Sequence, residues 1–145
     1  MVLALSSWFG LGFIPGAPGT FAALGALPLV VVMNKLGVLY GALYLLAFIA
    51  VALWVSDRAR QYVLQDDPQE IVIDEVAGLL VTFFLLPSSW LGLLLGFVLF
   101  RVFDISKPFP IRRLEKIRGG AGIVLDDIVA GIYANLSLRL FLSFF

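Results

Sequence analysis

The chain has 145 residues, enough for one domain, and 61% of them are apolar while only 14% are charged, which excludes a disordered chain and argues against an ordinary soluble domain. Ten basic and ten acidic residues cancel, so the net charge gives no argument for nucleic-acid binding. Because the chain contains neither Cys nor His, disulfides, thiolate or imidazole nucleophiles and zinc sites built on these residues are excluded.

The charged residues fall into two segments separated by apolar runs that are long enough to cross a bilayer. Eight charges lie within 57–75 and ten within 101–127, and only Lys35 and Arg139 stand elsewhere. A membrane-spanning helix needs about 20 apolar residues. In chain order, we predict a re-entrant or interfacial lead-in at 1–19 and spans at 20–34, 36–56 and 128–145. Arg139, inside the last span, is expected to be buried against protein or to reach an interface.

The apolar run 76–100 is interrupted by Pro87-Ser88-Ser89-Trp90, a turn-forming sequence with an interfacial aromatic residue. We therefore predict a hairpin of two short helices, at 71–86 and 90–103. The fold class is then an all-α, multi-pass membrane helical bundle of about five membrane segments, forming a single domain over 1–145. The alternative is one continuous helix over 76–100, which gives four spans.

The two models differ in where the charged segments lie. With five segments, the lead-in, 57–75 and 101–127 share one side of the membrane. That side then carries eight of the ten Lys and Arg residues, and the positive-inside rule assigns it to the cytoplasm. With four spans, the two charged segments would lie on opposite sides and their polar groups could not meet. The connector 57–70 is expected to be solvated, with a turn at Asp67-Pro68.

Two pairs of adjacent carboxylates, Asp74-Glu75 and Asp126-Asp127, are each predicted to open an apolar helix. On their own, such acids could simply complement the helix dipole. A glycine follows each pair, at Gly78 and at Gly131. Because glycines let membrane helices approach closely, the two helices could bring four carboxylates together, and Asp104 could join them. Clustered carboxylates beside anionic lipid require a cation, and oxygen-only ligands suit Mg²⁺.

Candidate phosphate-binding residues lie beside these acids. Arg101 and Lys107 flank Asp104, although Arg101 and Asp104 are three residues apart on a helix and could pair with each other. Gly19 and Thr20 end a Gly/Pro-rich turn, with Thr20 the expected N-cap of the first span, and backbone amides there could bind an anion. The remaining basic residues of 112–118 are expected to contact anionic lipid.

Four motifs, taken together and in this order, resemble the phosphatidylglycerophosphatase A family from about residue 8 to the end of the chain. They are Gly12-Phe-Ile-Pro-Gly-Ala-Pro-Gly-Thr20, Asp74-Glu75-Val-Ala-Gly78, Phe100-Arg-Val-Phe-Asp-Ile-Ser-Lys-Pro108 with Pro110-Ile111, and Gly122-Ile-Val-Leu-Asp-Asp-Ile-Val-Ala-Gly131. The resemblance implies a multi-pass enzyme of the bacterial inner membrane. Such an enzyme uses Mg²⁺ to remove the terminal phosphate of the phospholipid phosphatidylglycerophosphate, which yields phosphatidylglycerol.

The resulting hypothesis is a lipid phosphatase with its active site on the cytoplasmic face. A subset of the five acids would hold Mg²⁺ and act in catalysis: Asp74, Glu75, Asp104, Asp126 and Asp127. Either water attacks the phosphate or one carboxylate does, and the sequence does not choose between them. Two alternatives are a small membrane transporter, whose charges should lie at mid-bilayer depth, and a non-catalytic membrane scaffold.

Overall fold

The computed structural model describes residues 1–62 and 69–145, and within these ranges all regular secondary structure is helical. The turn expected at Asp67-Pro68 lies outside the described residues. The helices are α1 (Val2–Ser6), α2 (Pro18–Lys35), α3 (Gly37–Ala59), α4 (Ile73–Phe83), α5 (Trp90–Ser106), α6 (Ile111–Leu114) and α7 (Gly120–Ser143), with a 3₁₀ turn at Leu11–Phe13.

Helices α2, α3, α4, α5 and α7 alternate in direction between two ends of the molecule. At one end, the side-chain amide of Asn34 donates to the Leu86 carbonyl and to the Ser88 hydroxyl, both at 2.8 Å. At the other end, the Asp57 carboxylate near the end of α3 accepts from the Gly120 N–H at the start of α7, at 3.2 Å. The starts of α2, α4 and α7 therefore share one end with the ends of α3 and α5.

The predicted hairpin is present. Helix α4 ends at Phe83 and α5 begins at Trp90, where the Ser89 hydroxyl caps α5 by accepting from the Gly92 N–H at 3.1 Å. This break excludes one continuous helix over 76–100.

In the described part of the chain, three helices are long and apolar enough to cross a membrane: α2, α3 and α7. At 1.5 Å per residue, α4 and α5 reach only about 16 and 25 Å. The count of about five membrane segments therefore stays a prediction.

Two predicted helix starts were wrong. Helix α2 begins at Pro18 instead of Thr20, because the ring of proline presets the backbone for a first turn; Ala17 occupies the N-cap position and no side chain caps the helix. Helix α7 begins at Gly120, so Asp126 and Asp127 lie in its second turn and do not open it. Gly120 and Gly122 belong to this helix, where they lie in close contact with the backbone of Asp57 and Ile117.

Helix α4 lies at the centre of the bundle, packed against α2, α3, α5 and α7. Its side chains at Val76, Leu79, Leu80 and Phe83 are fully buried. The predicted glycine contact is present, since a Cβ at Gly131 would overlap the carbonyl oxygen of Gly78. The first turn of α4 is therefore held beside the second turn of α7.

The far end of α4 is tied to α7 by polar side chains. The Asn135 amide donates to the carbonyls of Thr82 at 2.8 Å and Phe84 at 3.0 Å. Arg139 donates to Asn135 at 2.7 Å and to the Phe84 carbonyl at 3.0 Å, although its side chain is exposed. Because the last carbonyls of a helix have no partner inside it, these contacts satisfy the end of α4. Arg139 therefore hydrogen-bonds to protein without being buried against it, and its expected reach to an interface stays a prediction.

Candidate active site

One cavity of about 400 Å³ lies where the starts of α2 and α4, the end of α5 and the first turns of α7 converge. We call it the carboxylate cavity. Its wall contains every residue that the sequence nominated: Gly19, Thr20, Asp74, Glu75, Arg101, Asp104, Lys107, Asp126 and Asp127. The structure thus gathers residues that are more than a hundred positions apart in sequence, while their chemical roles stay predictions.

Three of the five acids form a tight group. One carboxylate oxygen each from Asp74, Glu75 and Asp127 lies within 4.8 Å of the other two. Asp74 and Asp127 are buried and Glu75 is half-buried. Each contributes a buried oxygen that has no hydrogen-bond partner among the described residues. Buried, unpartnered carboxylates of like charge are costly unless a cation neutralises them.

Helix packing explains why these three acids meet. Asp74 and Glu75 occupy the first turn of α4, and Asp127 lies one turn before Gly131 on α7. A Cβ at Gly78 would come within 2.7 Å of the Asp127 carbonyl oxygen. The small residues therefore let α4 and α7 approach at this level, which sets the spacing of the carboxylates.

The other two acids have cationic partners. Asp104 pairs with Arg101 on the same helix, as the sequence allowed. Asp126 accepts from Lys107 Nζ at 3.0 Å and from the backbone N–H of Asp127, also at 3.0 Å. The five acids thus divide into three that face one another and two that are ion-paired. Sequence reasoning treated them as one set.

Lys107 is held between two carboxylates. Its ammonium lies 3.0 Å from Asp126 and 2.9 Å from Glu115. Partial burial opposes the charged form, but the hydrogen bonds to Glu115 and Asp126 outweigh it and raise the pKa of Lys107 above its ordinary value. Glu115 also lines the cavity and was missed by the sequence interpretation. The available signal was its position as the lone acid in the basic segment 112–118.

The start of α2 forms the opposite wall. A Cβ at Gly19 would overlap a carboxylate oxygen of Glu75 and lie 3.2 Å from Arg101 Nη1. Only glycine lets the first turn of α2 come this close to both groups. The first backbone N–H groups of a helix have no partner inside it and favour anions. Glu75, Arg101 and this helix start therefore surround the same volume.

The donor set suits a hard divalent cation. The three converging side chains offer only oxygens, and the whole chain contains no His or Cys that would favour a softer metal. The unpartnered oxygens of Asp74, Glu75 and Asp127 are the atoms available to such an ion. Asp104 and Asp126, already paired with cations, are less suited to contact it directly.

Comparison with known proteins identifies relatives over nearly the whole chain. A family model described as Phosphatidylglycerophosphatase A matches residues 4–142. A Haemophilus influenzae protein named Phosphatidylglycerophosphatase A is 38% identical over 133 residues, covering 90% of this chain and 82% of that protein. An Escherichia coli K12 protein of the same name is 35% identical over 130 residues, covering 88% and 76%.

A third relative carries a different name. A Bacteroides thetaiotaomicron protein, named provisionally as a phosphatidylinositol-3-phosphatase, is 32% identical over 138 residues, which cover 90% of this chain and 86% of that protein. No solved structure matches the chain. The names of these relatives agree on phosphatase chemistry and differ in the lipid headgroup.

Proposed function

The chain belongs to the phosphatidylglycerophosphatase A family and is a phosphatase, and we propose that it hydrolyses the terminal phosphomonoester of phosphatidylglycerophosphate to give phosphatidylglycerol. The observation that carries this proposal is the group of three carboxylates, Asp74, Glu75 and Asp127, inside a cavity that also contains Arg101. An anionic phosphate can enter such a cavity only if added positive charge offsets the repulsion from these carboxylates.

Magnesium supplies that charge in the proposal. Asp74, Glu75 and Asp127 would hold the ion through their unpartnered oxygens. When bound, it would draw charge from the phosphoryl oxygens and so favour attack at phosphorus. Asp104 and Asp126 keep Arg101 and Lys107 in place at the wall.

The chain's own groups bind and orient the phosphate. Arg101 stands between Asp104 and the start of α2, and its Nε has no hydrogen-bond partner among the described residues. It can therefore donate to a phosphate oxygen while it stays paired with Asp104. The backbone N–H groups at Gly19 and Thr20 would receive a second oxygen. Lys107 adds positive charge from the other side.

The reaction breaks the bond between phosphorus and the terminal glycerol oxygen. In one route, a cavity carboxylate accepts a proton from water as the water oxygen attacks phosphorus, and that proton then passes to the departing glycerol oxygen. In the other route, a carboxylate attacks phosphorus first, and water then hydrolyses the acyl-phosphate. Reduction with borohydride separates the routes, since it converts a phosphorylated aspartate into homoserine and leaves an unmodified one intact.

The membrane position follows from the apolar helices. Within residues 1–62 and 69–145, three helices are long and apolar enough to cross a bilayer, which supports a membrane protein. We place it in the bacterial inner membrane with the carboxylate cavity at the cytoplasmic face, because the segments at that end hold eight of the ten Lys and Arg residues.

A second candidate substrate comes from the Bacteroides thetaiotaomicron relative, whose name refers to phosphatidylinositol 3-phosphate. One experiment tests both candidates. Purified protein in mixed micelles is supplied with either lipid, and released phosphate is measured. We expect kcat/KM to be at least about tenfold higher for phosphatidylglycerophosphate. A preference for the inositol lipid would favour the second candidate, and no release from either lipid would contradict both.

A further inference from the structure

A second cavity, of about 460 Å³, adjoins the carboxylate cavity and is lined by four cations. We call it the cationic pocket. Its cations are Lys107, Arg112, Arg113 and Lys116. Lys107 also lines the carboxylate cavity, so the two cavities are neighbours across one side chain.

Within residues 1–62 and 69–145, three of these four cations have no carboxylate partner. Lys107 is bridged to Glu115 and Asp126, whereas no salt bridge among residues 1–62 and 69–145 involves Arg112, Arg113 or Lys116. Like charges around one cavity repel each other unless an anion lies between them. One guanidinium group can bind two phosphate oxygens at once, and a lysine ammonium adds a point charge. The chemistry of the pocket therefore fits a phosphate group.

The surroundings favour a lipid phosphate over a free one. Phe109 at the pocket wall is 70% exposed, and nearby Ile105 is 72% exposed. The Arg113 guanidinium lies 4.9 Å from the centre of the Phe109 ring. Exposed apolar side chains beside unpaired cations are typical of a surface that meets the headgroup region of a membrane.

We propose that the cationic pocket binds the phosphodiester of the same lipid whose terminal phosphate enters the carboxylate cavity. This inference rests on the proposed function, because phosphatidylglycerophosphate carries a phosphodiester and a phosphomonoester separated by one glycerol. Lys107, between the cavities, contributes charge to both ends of that headgroup. The pocket therefore adds affinity for lipids that have a second phosphate, in the ground state and the transition state alike.

The test measures KM and kcat for phosphatidylglycerophosphate in neutral phosphatidylcholine vesicles. The variants are Arg112→Gln and Lys116→Gln. The matched control is Arg118→Gln, which removes the same charge from the same segment but lies outside the pocket wall. We expect KM to rise about tenfold in the two pocket variants, with kcat within about twofold of wild type, because binding is lost equally in ground and transition states. Arg112→Lys, which keeps the charge, should restore most of the affinity.

A second arm separates the lipid's own phosphodiester from that of bulk anionic lipid. The measurements are repeated in vesicles that contain phosphatidylglycerol. If the difference between wild type and the pocket variants exists only in anionic vesicles, or if Arg118→Gln raises KM as much as they do, the pocket is a general membrane contact and the proposal is overturned. If the wild-type protein hydrolyses this lipid and KM is unchanged in both pocket variants, only the proposed role of the cationic pocket is overturned. A wild type with no hydrolysis overturns the proposed function as well.

Discussion

At the scale of single residues, the proposed metal site consists of three carboxylates that face one another, each with a buried oxygen that has no hydrogen-bond partner among residues 1–62 and 69–145. Asp74, Glu75 and Asp127 were recognisable because each belongs to a pair of adjacent acids that is followed by a glycine, Gly78 or Gly131, in an apolar segment. The division of the five acids was not predictable. It depends on the rotation of α5 and α7 about their axes and on a Lys107 side chain that reaches both Glu115 and Asp126.

The first prediction concerns the acids. Asp74→Asn, Asp104→Asn and Asp127→Asn should each lower kcat by at least about 100-fold, a typical loss when preorganised charge in a catalytic site is removed. Phosphate release by the purified variants checks this. Glu70→Gln is the control, since this acid lies outside the carboxylate cavity, and it should stay within about threefold of wild type. Near-normal turnover in all three Asn variants would contradict the assignment.

The second prediction concerns Lys107, whose pKa is raised by its hydrogen bonds with Glu115 and Asp126, which outweigh its partial burial. Because the pKa of Lys107 is raised in the folded state, its charged form stabilises the fold fully below the ordinary lysine pKa of about 10.4. This contribution is lost as pH rises through the folded-state pKa. The difference in unfolding temperature between wild type and Lys107→Gln should therefore be constant from about pH 8 to pH 10 and shrink above it. A difference that shrinks between pH 8 and pH 9 would contradict the ion pairs.

At the scale of helices, the close approach of α4 and α7 determines where the acids lie. The turn between α4 and α5 was predictable because Pro87-Ser88-Ser89 cannot continue a helix and Ser89 is a good cap. The start of α7 was not, because a Gly-rich segment is typical of a loop. Here Gly120 and Gly122 are helical, and only glycine fits at either position, since a Cβ would overlap the backbone of Asp57 or Ile117.

The third prediction tests this helix contact. Gly131→Val would place side-chain atoms against the Gly78 carbonyl, which no rotamer avoids, so we expect a loss of about 1–3 kcal/mol in stability and a fall in kcat as the carboxylates separate. Thermal unfolding in detergent and the phosphatase assay measure the two effects. Ile132→Ala, at the next position and 42% exposed, is the control and should change neither strongly. Equal stability of both variants would show that the contact does not matter.

At the scale of the whole molecule, the alternating helices put both charged segments at the end that holds the carboxylate cavity. The sequence indicated this arrangement because the hairpin predicted within 76–100 returns the chain to the same side of the membrane. A single crossing there would have put the two charged segments on opposite sides. The number of membrane crossings could not be obtained in this way, since α4 and α5 are short for the bilayer and their depth depends on packing.

The fourth prediction concerns topology and exploits the absence of cysteine from the chain. Single cysteines at Arg58, Arg113 and Lys35, each exposed, are labelled in sealed vesicles with a reagent that cannot cross membranes. Positions 58 and 113 should react from the cytoplasmic face and position 35 from the opposite face. Labelling of 58 and 113 from different faces would contradict the shared end and, with it, the cytoplasmic placement of the cavity.

The central claim is that carboxylates distant in sequence share one magnesium ion, and equilibrium Mg²⁺ binding to the purified protein tests it most directly. We predict one high-affinity site per chain in the wild type, lost in Asp127→Asn and retained in Glu70→Gln, with phosphate release that disappears in EDTA and returns with Mg²⁺. Equal Mg²⁺ binding by wild type and Asp127→Asn, or undiminished phosphate release in EDTA, would contradict the account.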